Sequence, residues 1–223
     1  MTNTTASLKT LTNLGVLEAK LPFDLFKNLT DSINNISAEN AEKFNNNLLG
    51  HMQEEYSLNH IPINGLPDFL LAVADTWKTS NPGYIETFEE ASKGNDYKLT
   101  LASIWVNKQK KYEFNPMHHH SGVLSFVIWI KIPYDLKKEE RYFPPSSGET
   151  EADRASSYTS KFTFIYNDVL GNIQDSAVPV DKSWEGTILM FPSQLNHCVY
   201  PFYTSDDYRI SVSGNIRIHA DIN

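Results

Sequence analysis

The stretch NPMHHHSGVLSFVIWIKIP, residues 115–133, decides how the rest of the chain is read. Three consecutive histidines run into an apolar segment rich in β-branched and aromatic residues, the composition of a strand. On a strand, residues i and i+2 share a face. His118 and His120 therefore project together, and His119 points the other way. Strand geometry puts the two Cα atoms about 6–7 Å apart, which lets two imidazoles chelate one metal ion. The run is internal and flanked by strand-like sequence, so it is not read as a tag. Alone, H-x-H is a weak signal, and a third ligand must come from a neighbouring strand.

His197, in GTILMFPSQLNHCVYP (186–201), is the best candidate for that ligand. It follows a short apolar strand and a proline-containing turn, so it sits near a strand end. His51, His60 and His219 are read as ordinary surface or core histidines. Cys198 falls on the opposite strand face from His197 and is expected to be a buried, inert thiol.

Twelve residues beyond His197 comes Arg209, in YRISVSGNIRI (208–218). Here Ile210, Val212, Ile216 and Ile218 alternate with Arg209, Ser211, Ser213, Asn215 and Arg217. The apolar face suits a helix layer. The polar face, turned inward, must line a wet cavity or be fully paired, because each unpaired buried polar group costs about 1–3 kcal/mol. A buried arginine beside a serine makes a good carboxylate receptor, offering a two-pronged charge-assisted grip and a hydroxyl. The plainer reading of Arg209 is an ion pair with a structural Asp or Glu. Asn107 and Asn115 lie upstream and are candidates to contact a bound acid. Trp129 and Phe126 are pocket-lining candidates whose default role is core packing.

Outward from these segments, the chain reads as helices first and strands after. Phe23, Phe26, Leu29 and Ile33 recur at helical spacing behind Pro22. A second helix is expected from Ser37 through AENAEKFNNNLL, and a third from Pro67 to Trp77. Residues 1–20 hold a candidate edge strand. After Lys98 come YKLTLASIWV, GVLSFVIWIKIP, KFTFIY, GTILMF and YRISVSGNIRI, all strand-like. Residues 134–160 are charged, rich in Ser and Pro, and aperiodic, the pattern of a solvated loop or a lid. The expectation is one globular domain, mainly β with N-terminal helices. Residues 1–97 form a helical segment that packs on one sheet of a double-stranded β-helix, or jelly roll, built by residues 98–223.

Lys+Arg is 19 and Asp+Glu is 27, a net charge of −8. That balance argues against a nucleic-acid partner. A small-molecule or protein-residue substrate is expected instead, and a homodimer is compatible with everything in the sequence. The single cysteine excludes an internal disulfide and fits a reducing compartment. No segment reaches about 18 uninterrupted apolar residues, so no membrane partner is expected and a cytoplasmic location is.

Taken together, FNPMHHHSGVLSFVIWIKIP and FPSQLNHCVYPFYTSDDYRISVSGNI resemble the Fe(II)/2-oxoglutarate-dependent dioxygenases, most nearly a branch common in bacteriophages. The likeness covers about residues 98–218. It implies a jelly roll that binds Fe(II), with 2-oxoglutarate and O2 as cosubstrates. Oxidative decarboxylation of 2-oxoglutarate to succinate would be coupled to hydroxylation of a substrate, and a phage-encoded enzyme would work in the host cytoplasm. It also implies His118 and His197 as iron ligands, and Arg209 with Ser211 as the receptor for the distal carboxylate of 2-oxoglutarate. One position departs from the usual H-x-D/E…H pattern: residue 120 is histidine. Either three neutral imidazoles hold the iron, leaving it one unit more positive, or His120 stands behind a third position that is open or filled by another ligand; the first, with His120 as a metal ligand, is the expectation. A cupin-like metal protein is the first alternative, since Gly186, Pro192 and His197 match the second cupin motif. Gln194 replaces that motif's second glycine, and no glutamate follows His120 as the first cupin motif needs. A non-catalytic jelly-roll structural module is the second alternative.

Overall fold

The structure, a computed structural model, describes residues 14–44, 50–88, 96–142 and 158–220. It is mainly β. Ten strands form two antiparallel sheets: β1 (Leu17–Lys20), β2 (Glu54–Ser57), β3 (Tyr97–Gln109), β4 (Asn115–His118), β5 (Leu124–Lys131), β6 (Phe162–Asn167), β7 (Ile173–Val178), β8 (Thr187–Pro192), β9 (Asn196–Val199) and β10 (Arg209–Ala220). The larger sheet has the order β1-β8-β5-β10-β3-β2, and the smaller β4-β9-β6-β7. Every pairing is antiparallel.

Strand alternation divides the interior into two layers. Phe126, Ile128 and Ile130 of β5 and Val212 and Ile216 of β10 face helices α1 (Phe23–Asn34) and α2 (Leu66–Ser80), where Leu29, Ile33, Leu70, Val73 and Trp77 complete one core. The intervening residues Val127 and Trp129 face the small sheet and pack with Phe162, Phe164 and Phe191 in a second core. Phe126 therefore belongs to the helix layer, and only Trp129 of the two aromatic candidates faces the inter-sheet space. Gly214 sits on the helix face of β10 where β5 crosses closely. A Cβ there would meet the Phe126 ring and lie 2.5 Å from the Ser103 carbonyl, so only glycine fits.

Several expectations are met and several are corrected. β1 is the edge strand expected in residues 1–20, and α1, α2, β3, β5, β6, β8 and β10 fall where the periodicity places them. The helices, however, are not confined to the N-terminal part. A third, α3 (Leu136–Tyr142), follows β5. It has no apolar stripe to betray it. Asp135 caps its first turn through Lys138 N (3.0 Å), and the buried Glu139 carboxylate accepts the Tyr203 and Thr204 amides (2.9 and 2.7 Å). The first 97 residues supply strands β1 and β2 as well as helices. The helix expected from Ser37 is absent from its described part. Residues 38–40 make a turn, and Lys43 bridges to Tyr56. The rest of that segment, and residues 143–157 of the expected loop or lid, lie outside the described residues. No helix among the described residues is long and apolar enough to cross a membrane.

Candidate metal centre

β4 and β9 are neighbours in the small sheet, and their register sets His118 directly opposite His197. β4 ends at His118, but the alternation continues: His119 is exposed, and His120 turns back toward the interior, its N–H donating to the Ser193 carbonyl (2.8 Å). Gly122, at φ 95° and with the Ile216 carbonyl 2.5 Å from where a Cβ would lie, then returns the chain into β5. The three imidazoles converge. Their ring centroids lie 4.3 Å (118–197), 4.9 Å (118–120) and 5.0 Å (120–197) apart. One ligand atom from each falls within 4.8 Å of the others, and among the described residues no carboxylate joins them.

Two of the rings are oriented by the same local device. His118 Nδ1 donates to the carbonyl of Pro116 (2.7 Å), and His197 Nδ1 to that of Leu195 (2.9 Å), each two residues back. Both rings are thereby held in the tautomer that leaves Nε2 unprotonated, its lone pair turned toward the centre. Burial pushes all three histidines below their ordinary range: His118 through desolvation foremost, His120 to about 3 through desolvation and the neighbouring His118 and His119, and His197 well down through desolvation with His118 and His120. At neutral pH the centre is three uncharged imidazoles, the protonation state in which histidine binds metal.

That arrangement has a pH signature. These histidines titrate lower in the fold than the ordinary value of 6.5 they have when unfolded. Below that value the unfolded chain takes up protons that the folded one refuses, so stability falls as pH drops. Metal-stripped protein is expected to melt at progressively lower temperature between about pH 6.5 and about pH 5. Calorimetry at several pH values checks this, and a flat Tm across the interval contradicts it.

A cavity of about 40 Å³ opens against the histidines, lined also by Trp105, Asn107, Gln109, Asn115, Trp129 and Arg209. Ser211 and Ser213 line it too, and Asn107 Nδ2 donates to both hydroxyls (3.3 and 3.2 Å). Asn115 reaches His118 (Nδ2 to Nε2, 3.4 Å), while its buried Oδ1 has no hydrogen-bond partner. Arg209, 4% exposed, makes no ion pair with any described residue. Its donors go to Gln109, Tyr134, and the carbonyls of Ser160 and Tyr200. The structural ion pair considered for Arg209 is therefore not formed among the described residues. Of these partners, Gln109 was open to discovery by the alternation Trp105, Asn107, Gln109 along β3. Ser160 and Tyr200 act through main-chain oxygens, which carry no sequence signal. A cleft of about 400 Å³ beside Tyr84, Phe164 and Gln194 contains none of the three histidines. Cys198 is buried, and burial raises its thiol.

Comparison with known proteins agrees with this geometry. A family model described as "Putative 2OG-Fe(II) oxygenase" matches residues 103–215, half of the chain. The chain belongs to this family of oxygenases, enzymes that work with Fe(II), 2-oxoglutarate and O2. Among solved structures it is similar to a prolyl-4-hydroxylase from Pseudomonas putida, with 15% identity, covering 91% of this chain and 92% of that one, at a TM-score of 0.51. It is also similar to AviO1 from Streptomyces viridochromogenes, with 13% identity over 93% of this chain and 90% of that one, at a TM-score of 0.47. The first likeness is one of fold. No curated protein matches the chain.

The residues present fit an Fe(II) ion. Three neutral nitrogen donors within 4.8 Å suit a first-row divalent metal, and two have their second ring nitrogen tied to a carbonyl.

Proposed function

We propose that this protein is an Fe(II)- and 2-oxoglutarate-dependent hydroxylase whose two sheets form a double-stranded β-helix. Residues 98–223 are its catalytic unit, and the described residues before them contribute edge strands β1 and β2 to the large sheet and the helices packed on it. The observation that carries this reading is one cavity lined both by three converging imidazoles and by a buried guanidinium that has no carboxylate partner among the described residues. A buried charge with no counter-charge is costly, so Arg209 is a standing receptor for an anion.

In this reading His118, His120 and His197 hold the iron, His120 standing where relatives carry a carboxylate. When bound, iron and 2-oxoglutarate together supply the power to activate O2 and oxidise a C–H bond, with succinate and CO2 as coproducts. The chain contributes position and shelter. Arg209 grips the distal carboxylate of 2-oxoglutarate. Ser211, with Asn107 holding its hydroxyl, steers the acid along β10 toward the histidines. Val127, Trp129 and Phe162 wall the cavity and keep water from the reacting atoms. The substrate is a small molecule or a protein residue.

The test is ligand-induced stabilisation. A ligand at a hundred times its Kd adds about 2.7 kcal/mol, which for a chain of this size raises Tm by about 5–10 °C. Mn(II)-loaded protein should show that rise with 2-oxoglutarate, and Fe(II)-loaded protein in air should form succinate. A metal-dependent shift with no further response to 2-oxoglutarate would sink the assignment.

A further inference from the structure

The cation assigned to the cosubstrate is fully engaged by the protein itself. A guanidinium has five N–H donors, and five hydrogen bonds leave Arg209. Nε reaches Gln109 Oε1 (2.9 Å). Nη1 reaches the Tyr134 hydroxyl (3.0 Å) and the Ser160 carbonyl (2.6 Å). Nη2 reaches Gln109 Oε1 (2.6 Å) and the Tyr200 carbonyl (2.9 Å). All four acceptor groups are neutral. Two of the bonds fall on one atom, Gln109 Oε1, which bridges the Nε–Nη2 edge. That edge can take both oxygens of a carboxylate in two parallel bonds.

The four partners are not equally able to leave. The Ser160 and Tyr200 carbonyls belong to segments tied to each other, with Ser160 N donating to the Pro201 carbonyl and Tyr200 N to that of Lys161. The Tyr134 ring is packed against Phe202 in the inter-sheet core. Gln109 is a side chain on β3, cross-strand from Arg209, whose amide nitrogen donates to the Glu113 carbonyl (2.5 Å). It lines the same cavity as the histidines and can rotate without opening a sheet. Both acceptors take charge-assisted bonds from the guanidinium, but a carboxylate adds the attraction of opposite charges and meets the Nε–Nη2 edge with two oxygens instead of one, so an arriving carboxylate outcompetes the amide. The exchange leaves no guanidinium donor unsatisfied at either end.

Resting on the reading of Arg209 as the cosubstrate's receptor, we propose that Gln109 is a built-in stand-in for the distal carboxylate. Its amide oxygen seals the Nε–Nη2 edge of Arg209 until a 2-oxo dicarboxylate displaces it. Gln109 thereby sets both the affinity for 2-oxoglutarate and the discrimination against 2-oxo acids such as pyruvate, which have no second carboxylate to displace it.

Two substitutions test this in opposite directions, read as the Kd of 2-oxoglutarate for Mn(II)-loaded protein by calorimetric titration, with Mn(II) affinity measured separately. Gln109→Ala removes the competitor and should tighten binding about tenfold, the worth of one hydrogen bond to a charged group. Gln109→Glu gives Arg209 a permanent carboxylate and should weaken binding at least about 100-fold, with Mn(II) affinity unchanged. The proposal requires both shifts. Weaker or unchanged binding in Gln109→Ala makes the residue a mere support for Arg209, and unchanged binding in Gln109→Glu overturns the exchange. Should Gln109→Ala not fold, Gln109→Leu, which removes the acceptor and keeps the bulk, takes its place with the same expected tightening. Arg209→Ala separates the two levels. If it binds like wild type, the receptor reading itself fails; if it loses binding while both Gln109 variants match wild type, only the stand-in falls.

Discussion

His197→Ala protein is expected to bind Fe(II) at least about 100-fold more weakly than wild type. Loss of a partner behind a ligand already costs 10–100-fold, and here the ligand itself goes. Nothing nearby can replace it. His197 is 3% exposed and walled by the rings of Phe162, Phe164 and Phe191, with no carboxylate in the cluster among the described residues. Anaerobic titration against a competing chelator gives the affinity. His119→Ala, altering an exposed ring outside the cluster, is the control and should bind as wild type. Full iron retention by His197→Ala would mean the three imidazoles are not the centre.

Arg209→Ala should cost 2-oxoglutarate its affinity while sparing the metal. Truncating one side of a buried charged pair costs about 2–5 kcal/mol, or about 30- to 5000-fold in Kd. The same change strands the acceptors that Arg209 now satisfies, so Tm should fall as well. Arg209→Lys keeps the charge and loses the fork, and should fall between. Mn(II) affinity measured alongside shows whether the loss is specific. Unaltered 2-oxoglutarate affinity in Arg209→Ala would place the acid elsewhere.

How much of this was legible in the chain depended on period. β5 and β10 are long enough for the alternation of two to show, and β10 announced both its apolar face toward the helices and its polar face toward the cavity. Of the short strands, β4 and β9 are legible only through the histidines they carry, whereas β2 and β7, four and six residues long, carry no such mark, and β7 (IQDSAV) is mostly exposed and polar. With no buried face, such a strand is specified by its neighbours. The three histidines could be named because i and i+2 geometry and one distant partner suffice. The surroundings of Arg209 could not, because two of its four partners are main-chain carbonyls and a third, Tyr134, opens a segment with no periodicity. Helix α3 was hidden for a related reason. It is anchored by the hydrogen bonds of a buried glutamate rather than by an apolar stripe.

The carbonyl clamps on His118 and His197 have a consequence for assembly. Each ring is aimed by its own peptide two residues upstream, so both ligands are correctly presented as soon as their strands exist. What remains for folding to deliver is a single event, the zipping of β4 onto β9. β4 is short and lies at the rim of the small sheet among the described residues. A divalent ion shared between facing residues would rivet that rim shut, making occupancy of the centre and closure of the sandwich's open margin one and the same equilibrium.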